Sequence, residues 1–253
     1  MSHVTIVTGA SRGIGQAIVE ILLKFPNTKV VAVARSEKLL QALQERYGSE
    51  RVQYVAGDIS DPATSQKAVQ TAIGQFGKLD AVIANAGVLD PIGPIETTSI
   101  DKFKQLYDIN FFSVVELVKQ SLPYLKKTNG RIIGVSSIAA FTAFSGWYAY
   151  GSSKAALNHF MFSLAAEEKE IQAIAVAPGV VDTGMQTDIR STHGKNMDPE
   201  NFKQFVDLHE SNQLVPPEAP ATVYANLALK GWSDELNGKY LDFDDTILKD
   251  YQM

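Results

Sequence analysis

Six short apolar runs alternate along this chain with longer stretches of helical spacing, and that alternation constrains its fold more than any other feature. The runs cover residues 4–7, 30–33, 52–55, 81–84, 131–135 and 171–176. Each is short and dominated by Val, Ile and Ala, the pattern of a strand covered on both faces. Between them apolar residues recur every three or four positions, as on one face of a helix. Ile14, Ala17, Ile18, Ile21 and Leu22 make one stripe, and Leu39, Leu40, Leu43 and Tyr47 another. Further stripes run through residues 68–76, 103–125, 155–166 and 221–229. Strand and helix repeated in this way predict an α/β fold, a doubly wound and mostly parallel sheet with helices on both faces.

No linker, internal repeat or low-complexity tract divides the 253 residues, so residues 1–253 are expected to form a single domain. One segment breaks the alternation. Residues 183–217 are polar and strand-free, carry His193, Gly194, Asn196, Pro199 and Pro216-Pro217, and have room for one helix at 199–208. So long an irregular stretch in a compact domain is either a functional lid or a disordered loop, and a flexible substrate lid is expected. The absence of Cys excludes disulfide frameworks, Cys-ligated zinc and thiol nucleophiles. The four His form no metal-binding spacing. A net charge of −5 argues against a nucleic-acid partner. No run approaches 18 uninterrupted apolar residues, which argues against a membrane partner. The start, Met1-Ser2-His3-Val4-Thr5, has no targeting character, and the last residues match no lipidation signal. The expectation is a cytoplasmic protein with a small-molecule partner.

Thr8-Gly9-Ala10-Ser11-Arg12-Gly13-Ile14-Gly15 follows the first strand and opens the first helical stripe. Glycines at 9, 13 and 15 permit a tight turn and close approach of the backbone to a ligand. The helix beyond offers unpaired N–H groups and its positive dipole end to a pyrophosphate. Turns also use Gly for conformation alone, but this position favours dinucleotide binding by Gly9, Ser11, Arg12, Gly13, Ile14 and Gly15. About 20 residues further on, an acid would hold a ribose 2′-hydroxyl and an Arg would accommodate a 2′-phosphate. The chain there reads Val33-Ala34-Arg35-Ser36, and Glu37 suits the first turn of the next helix. Arg35, with Arg12 in the turn, predicts NADPH/NADP+ as the cofactor; two solvated surface arginines are the alternative.

Tyr150-Gly151-Ser152-Ser153-Lys154 begins the stripe after the fifth strand. A spacing of four on a helix puts Tyr150 and Lys154 on one face, about 5–6 Å apart at Cβ. A free Tyr, with a pKa near 10, is a poor base at neutral pH. An ammonium about 4 Å away would favour phenolate by roughly 4 kcal/mol at an effective dielectric near 20, before desolvation subtracts from it. That predicts a tyrosine moved toward the operating pH as a general acid or base. The pair alone is common on helix surfaces, and context decides.

In order along the chain stand Thr8–Gly15, Asp58 after the third strand, Asn85-Ala86-Gly87 after the fourth, Asn110, Ser137 thirteen residues before Tyr150, and Pro178-Gly179 with Thr183 after the sixth. With these motifs the chain resembles the short-chain dehydrogenase/reductases from Thr8 to about Tyr240, which implies a single-domain Rossmann fold acting as one dinucleotide-binding catalytic domain. The resemblance implies that Tyr150 would protonate a carbonyl oxygen as a nicotinamide delivers hydride to its carbon, and that Ser137 would hydrogen-bond that oxygen. It implies that Lys154 would lower the Tyr150 pKa and bind the nicotinamide ribose, and that Asn110 would hold a water in the proton relay. Asp58 would contact the adenine, Asn85 the adenosine ribose, and Thr183 the carboxamide or pyrophosphate. Ile59, Ala86, Gly87, Pro178, Gly179 and Val181 belong to the same implied cofactor set. Asn110 as a buried amide bonded to backbone, Asp58 as a helix cap, and Ser136 in place of Ser137 are the alternatives. Ala84 departs from the pattern, standing where many members carry a second Asn.

Residues between Ser137 and Tyr150 should border the carbonyl site, Ile138, Ala139, Phe141, Phe144 and Trp147 among them, with Val180 and Met185 on the other side. An apolar, aromatic wall points to a hydrophobic ketone or diketone rather than a sugar; the same aromatics could instead be core. Phe144-Ser145-Gly146-Trp147-Tyr148-Ala149-Tyr150 looks like the sepiapterin reductase and benzil reductase branch of the family, with fungal members similar over the wider chain. The expected reaction is NADPH-dependent reduction of benzil-like α-diketones. Alcohol oxidation with NAD and dinucleotide sensing without turnover are the competing readings. His159 is expected in packing or an interface. The resemblance further implies a homodimer or homotetramer built on the long helices at 103–125 and 150–168, which carry apolar residues on more than one face.

Overall fold

All six apolar runs are strands, because Val and Ile carry their branched side chains best on a pleat covered on both sides. The structure is a computed structural model that describes residues 2–253. In chain order the elements are β1 (His3–Thr8), α1 (Gly13–Leu22), β2 (Thr28–Ala34), α2 (Glu37–Tyr47), β3 (Val52–Ala56), α3 (Pro62–Phe76), β4 (Ala81–Ala84), α4 (Ile100–Tyr107), α5 (Ser113–Leu125), β5 (Arg131–Val135), α6 (Tyr148–Glu167), β6 (Gln172–Ala177), α7 (Gly184–Asp188), α8 (Pro199–Glu210), α9 (Glu218–Lys230) and β7 (Tyr240–Asp242). One seven-stranded sheet runs in the order β3-β2-β1-β4-β5-β6-β7, every pair parallel. The single-domain, doubly wound α/β expectation is met. The stretch expected as one long stripe at 103–125 is α4 and α5 joined by a π-turn, Asp108–Phe112. The seventh strand was not expected from the sequence. Its three residues are too few for a readable period, and it exists because β6 offers it an edge at Val176↔Leu241.

Alternate side chains divide the sheet into two cores. Val7, Ile83, Ile133 and Ile174 face α1, α2 and α9 through Ile18, Leu22, Leu40 and Leu227. Val4, Ile6, Val82 and Ile132 face α3, α5 and α6 through Val69, Leu117, Leu157 and Met161. Both faces being covered is why the strands read as continuous apolar runs rather than as alternations. Helix ends follow local chemistry. At α3, Asp61 accepts a hydrogen bond from the Ala63 N–H at 2.9 Å, Pro62 opens the first turn, and Gly77, left-handed at φ 78°, ends the helix. Among the described residues no helix is long and apolar enough to cross a membrane.

The site is placed by the strand order. β1 pairs with β2 on one side and β4 on the other, so the connections after β1 and β4 leave in opposite directions and open a crevice at the strands' carboxyl ends. The segment expected as an irregular lid at 183–217 is largely helical, with α7, a π-turn at Ile189–His193 and α8. Asp198 caps α8 by accepting from the Glu200 and Asn201 N–H groups at 3.0 and 3.2 Å. A parallel bridge, Val181↔Val215, closes the segment's base. The helix expected at 199–208 is α8, whereas α7 and the π-turn were concealed by their polar composition.

Candidate active site

Thr8 ends β1, and Gly9 (φ 67°) and Gly13 (φ 54°) turn the chain into α1. Gly15 has no alternative: a Cβ there would stand 2.2 Å from the Gly9 carbonyl oxygen. Arg12 precedes α1 in an extended conformation with no side-chain cap and no acidic residue in the first turn, so the first N–H groups keep their donors for a ligand. Asn85, after β4, locks this turn. Its Nδ2 donates to the Thr8 carbonyl at 2.9 Å, and the Thr8 hydroxyl accepts from the Asn85 and Ala86 N–H groups, each at 3.0 Å.

A cleft of about 690 Å³ runs from this turn across the sheet edge. Gly9, Ser11, Arg12, Gly13 and Ile14 line one part, Arg35 and Asp58-Ile59 the outer end, Asn85-Ala86-Gly87 the middle, and Tyr150, Lys154, Pro178 and Thr183 the inner end. Of the residues singled out for a cofactor, Gly15, Gly179 and Val181 lie outside the cleft wall. Gly15 faces the Gly9 carbonyl, and Val181 is buried in the bridge to Val215. Asp58 folds back on itself: its carboxylate accepts from the Ser60 N–H at 2.9 Å and the Ser60 hydroxyl at 2.7 Å, which with nearby Arg35 hold it below the ordinary carboxylate range. The cap of α3 is Asp61 rather than Asp58.

At the inner end Tyr150 is 7% exposed and Lys154 4%. Burial pushes the Tyr150 phenol above its ordinary value; the Ser137 hydroxyl, placed to donate to the phenolate, pulls less strongly the other way. Burial brings the Lys154 ammonium down to about 8. Its Nζ donates to the Val135 carbonyl at 2.7 Å and lies 5.7 Å from the centre of the Tyr150 ring. This corrects the expectation that Lys154 lowers the Tyr150 pKa. In the folded chain burial is the larger influence on the phenol, and the direction is upward. Ser136 and Ser137 separate in role. Ser136 donates to Asn158 Oδ1 at 2.6 Å, whereas Ser137 accepts from the Ala139 N–H at 3.2 Å and acts on Tyr150.

Asn110 sits in the π-turn, wholly buried, and grips the chain after β4. Its Oδ1 accepts from the Val88 N–H at 2.8 Å, and its Nδ2 donates to the Val88 carbonyl at 2.9 Å and to Ser153 Oγ at 3.2 Å. Ser153 in turn donates to the Tyr150 carbonyl at 2.7 Å. The side chain of Asn110 therefore ties the cleft's middle to the turn of α6 that carries Tyr150. Ser153 was not singled out in the sequence, where nothing distinguishes it from Ser152.

The carbonyl-site wall differs from expectation. Met185 lines the cleft, joined by Val88, Leu89 and His193, which the sequence did not mark. Ile138 and Phe141 point to solvent, because the short helical turn at Ile138–Ala140 rotates them outward. Phe144, Trp147 and Val180 pack in one apolar cluster with Tyr150 rather than along the open cleft, and that cluster includes Phe205 from α8. Phe205 was missed because its only signal, an aromatic at helical spacing from Phe202, does not say what it packs against. His159 is exposed on α6, so no packing within the chain accounts for it.

The family model for short chain dehydrogenases matches residues 3–194. The uncharacterized oxidoreductase YIR035C of Saccharomyces cerevisiae is 51% identical over 253 residues, 99% of each chain. The crystal structure of that yeast protein superposes with a TM-score of 0.98 at 50% identity, covering 100% of both chains. The S. cerevisiae protein named benzil reductase ((S)-benzoin forming) IRC24 is 43% identical over 255 residues, 97% of each. A benzil reductase ((S)-benzoin forming) of Bacillus cereus is 34% identical over 232 residues, 88% of this chain and 92% of that one.

Proposed function

The chain belongs to the short-chain dehydrogenases, and on that premise we propose that it is an NADPH-dependent carbonyl reductase acting on hydrophobic ketones or α-diketones of the benzil type. One observation carries the reading: a buried tyrosine, kept protonated by its surroundings, stands at the inner end of a cleft that begins at a glycine turn. Ketone reduction needs a proton at the carbonyl oxygen, and Tyr150 Oη holds one through neutral pH. Ser137, fixed by the Ala139 N–H, supplies a second hydroxyl for that oxygen. When bound, the nicotinamide supplies the reducing equivalent.

The residues present fit a dinucleotide. The uncapped start of α1 and the cradle of Gly9–Gly13 suit a pyrophosphate, and the cleft's volume lies in the ordinary range for such ligands. Asp58 and Ile59 would flank the adenine, and Lys154 would reach the nicotinamide ribose. Arg12 and Arg35 are exposed, line the cleft and have no carboxylate within salt-bridge distance among the described residues. They are free to meet a 2′-phosphate, which supports NADPH over NADH. The two relatives named benzil reductase support the substrate class.

The test is NADPH oxidation with benzil, beside the variant Tyr150→Phe. The wild type is expected to turn over and the variant to lose roughly 100- to 10,000-fold, the usual share of a general acid. Turnover of sugars or acyl thioesters with none of any diketone refutes the substrate class. Equal or better efficiency with NADH refutes the cofactor preference.

A further inference from the structure

Against Tyr150 the fold stacks rings from two different elements. Trp147, just before α6, presents its indole edge-on to Tyr150, with centroids 5.7 Å apart and planes at 87°. Phe205 of α8 lies parallel on the same indole, at 5.4 Å and 8°, and Phe144 leans on both, at 5.2 Å from Trp147 and 6.2 Å from Phe205. The indole thus touches both Tyr150 and Phe205, and all three rings belong to one buried cluster.

We infer that Phe205 is a removable plug: it occupies the subsite into which an aryl ring of the acceptor stacks, with Trp147 as the fixed wall, and so selects aromatic carbonyl compounds. The inference deepens the carbonyl-reductase reading and rests on Tyr150 being the proton donor. Phe205 is the one buried residue of the twelve in α8. At this end the helix is also held by half-buried Phe202 and by Met197 just before it, both packed in the same cluster, and by two long hydrogen bonds, from the Ser145 N–H to Asn201 Oδ1 at 3.4 Å and from Asn196 Nδ2 to the Ile92 carbonyl at 3.3 Å. The segment's base is pinned independently of α8, where the Asp182 N–H donates to the Val215 carbonyl and the Val215 N–H to the Val180 carbonyl, both at 2.9 Å. Withdrawing Phe205 therefore requires neither unfolding α8 nor opening that bridge.

A second observation concerns a polar atom at this stack. The indole N–H of Trp147 is buried, with the residue 6% exposed, and has no acceptor. A finished core satisfies such a donor. An α-diketone brings a carbonyl oxygen adjacent to the one that Tyr150 protonates, an acceptor of the kind this donor lacks. One ring replacing another on the indole keeps the stacking energy nearly constant, so the exchange favours flat aromatic acceptors over aliphatic ones.

Two measurements test this. With 4-fluorophenylalanine at position 205, the 19F resonance is expected to start at a ring-shifted position and move toward that of free fluorophenylalanine on titration with benzil in the presence of NADP+. A resonance that stays in place as benzil reaches its solubility limit overturns the inference. In steady state, Phe205→Ala is expected to lower the KM for benzil about five- to tenfold, the scale of one lost stacking contact, with kcat and the KM for butane-2,3-dione within about twofold. A KM that is unchanged or raised for benzil overturns it; Phe205→Leu, expected to act in the same direction more weakly, serves if the alanine variant does not fold. Displacement without any NADPH oxidation by the wild type would sink the carbonyl-reductase reading and keep the plug, whereas turnover without displacement does the reverse.

Discussion

Replacing Lys154 by Met is expected to stabilise the cofactor-free protein while abolishing its reductase activity. Lys154 is almost fully buried, and its ammonium has a carbonyl, Val135, but no carboxylate for a partner. Burial lowers its pKa from 10.5 to about 8. At about 1.4 kcal/mol per pKa unit, the folded state opposes the charge by about 3 kcal/mol. Met fills a similar volume without the charge and forfeits one hydrogen bond, a loss of about 1 kcal/mol. The variant should gain about 2 kcal/mol at pH 7, or about 4–8 °C in Tm for a chain of this size. The sign follows from linkage: with the folded pKa below the unfolded one, the unfolded chain binds more protons between pH about 8 and 10.5. Wild-type stability therefore carries the full deficit below pH 8 and recovers it as pH rises through that window. The variant's advantage should be largest near pH 7 and gone by about pH 10.5. Urea unfolding of both proteins at pH 7 and pH 10 measures it. A variant less stable at pH 7, or an advantage undiminished at pH 10, refutes the reasoning that desolvation governs this site.

Three other outcomes follow from the geometry. Arg35→Ala should reduce the proposed preference for NADPH over NADH, measured as the ratio of kcat/KM values, by about tenfold, the scale of one charge-assisted contact to a phosphate. Asn110→Ala strands the Val88 N–H and carbonyl in a buried loop and should cost about 2–4 kcal/mol in urea unfolding, with catalysis impaired because Ser153 loses its neighbour; a variant of unchanged stability would show that the clamp is dispensable. Phe112, at the end of the π-turn before α5, and Phe162 on α6 are exposed, with Phe111 and Phe160 half-buried beside them, and this supports the proposal of a homodimer or homotetramer. Gel filtration should give a multiple of the 27.6 kDa chain, and a monomer would overturn it.

Strand positions were legible because a strand buried on both faces leaves a local trace, a short branched apolar run, that needs no partner to be recognised. Gly9, Gly13 and Gly15 were legible for the same reason, since the turn after β1 forces them by local sterics. Of the helices in the 183–217 segment only α8 was legible, from Asp198 followed by Pro199 and the room for a helix at 199–208; α7 and the π-turn after it were not. Nor was β7, which depends on an edge supplied by residues more than sixty positions earlier.

The sequence by itself determined the alternating architecture and the glycine turn, because spacing along one element is a local property; the side chains expected at the carboxyl edge of the sheet were named by the resemblance to a family and not by spacing. The electrostatic balance at Tyr150 was decided by tertiary structure alone. Helical spacing brings Lys154 to its side, yet burial, opposed less strongly by the Ser137 hydroxyl after β5, sets the sign of the shift. The Trp147–Phe205 stack is likewise a product of the fold, joining residues 58 positions apart across two loops. Desolvation and stacking depend on everything that surrounds a group, and a chain's order names the group without naming its surroundings.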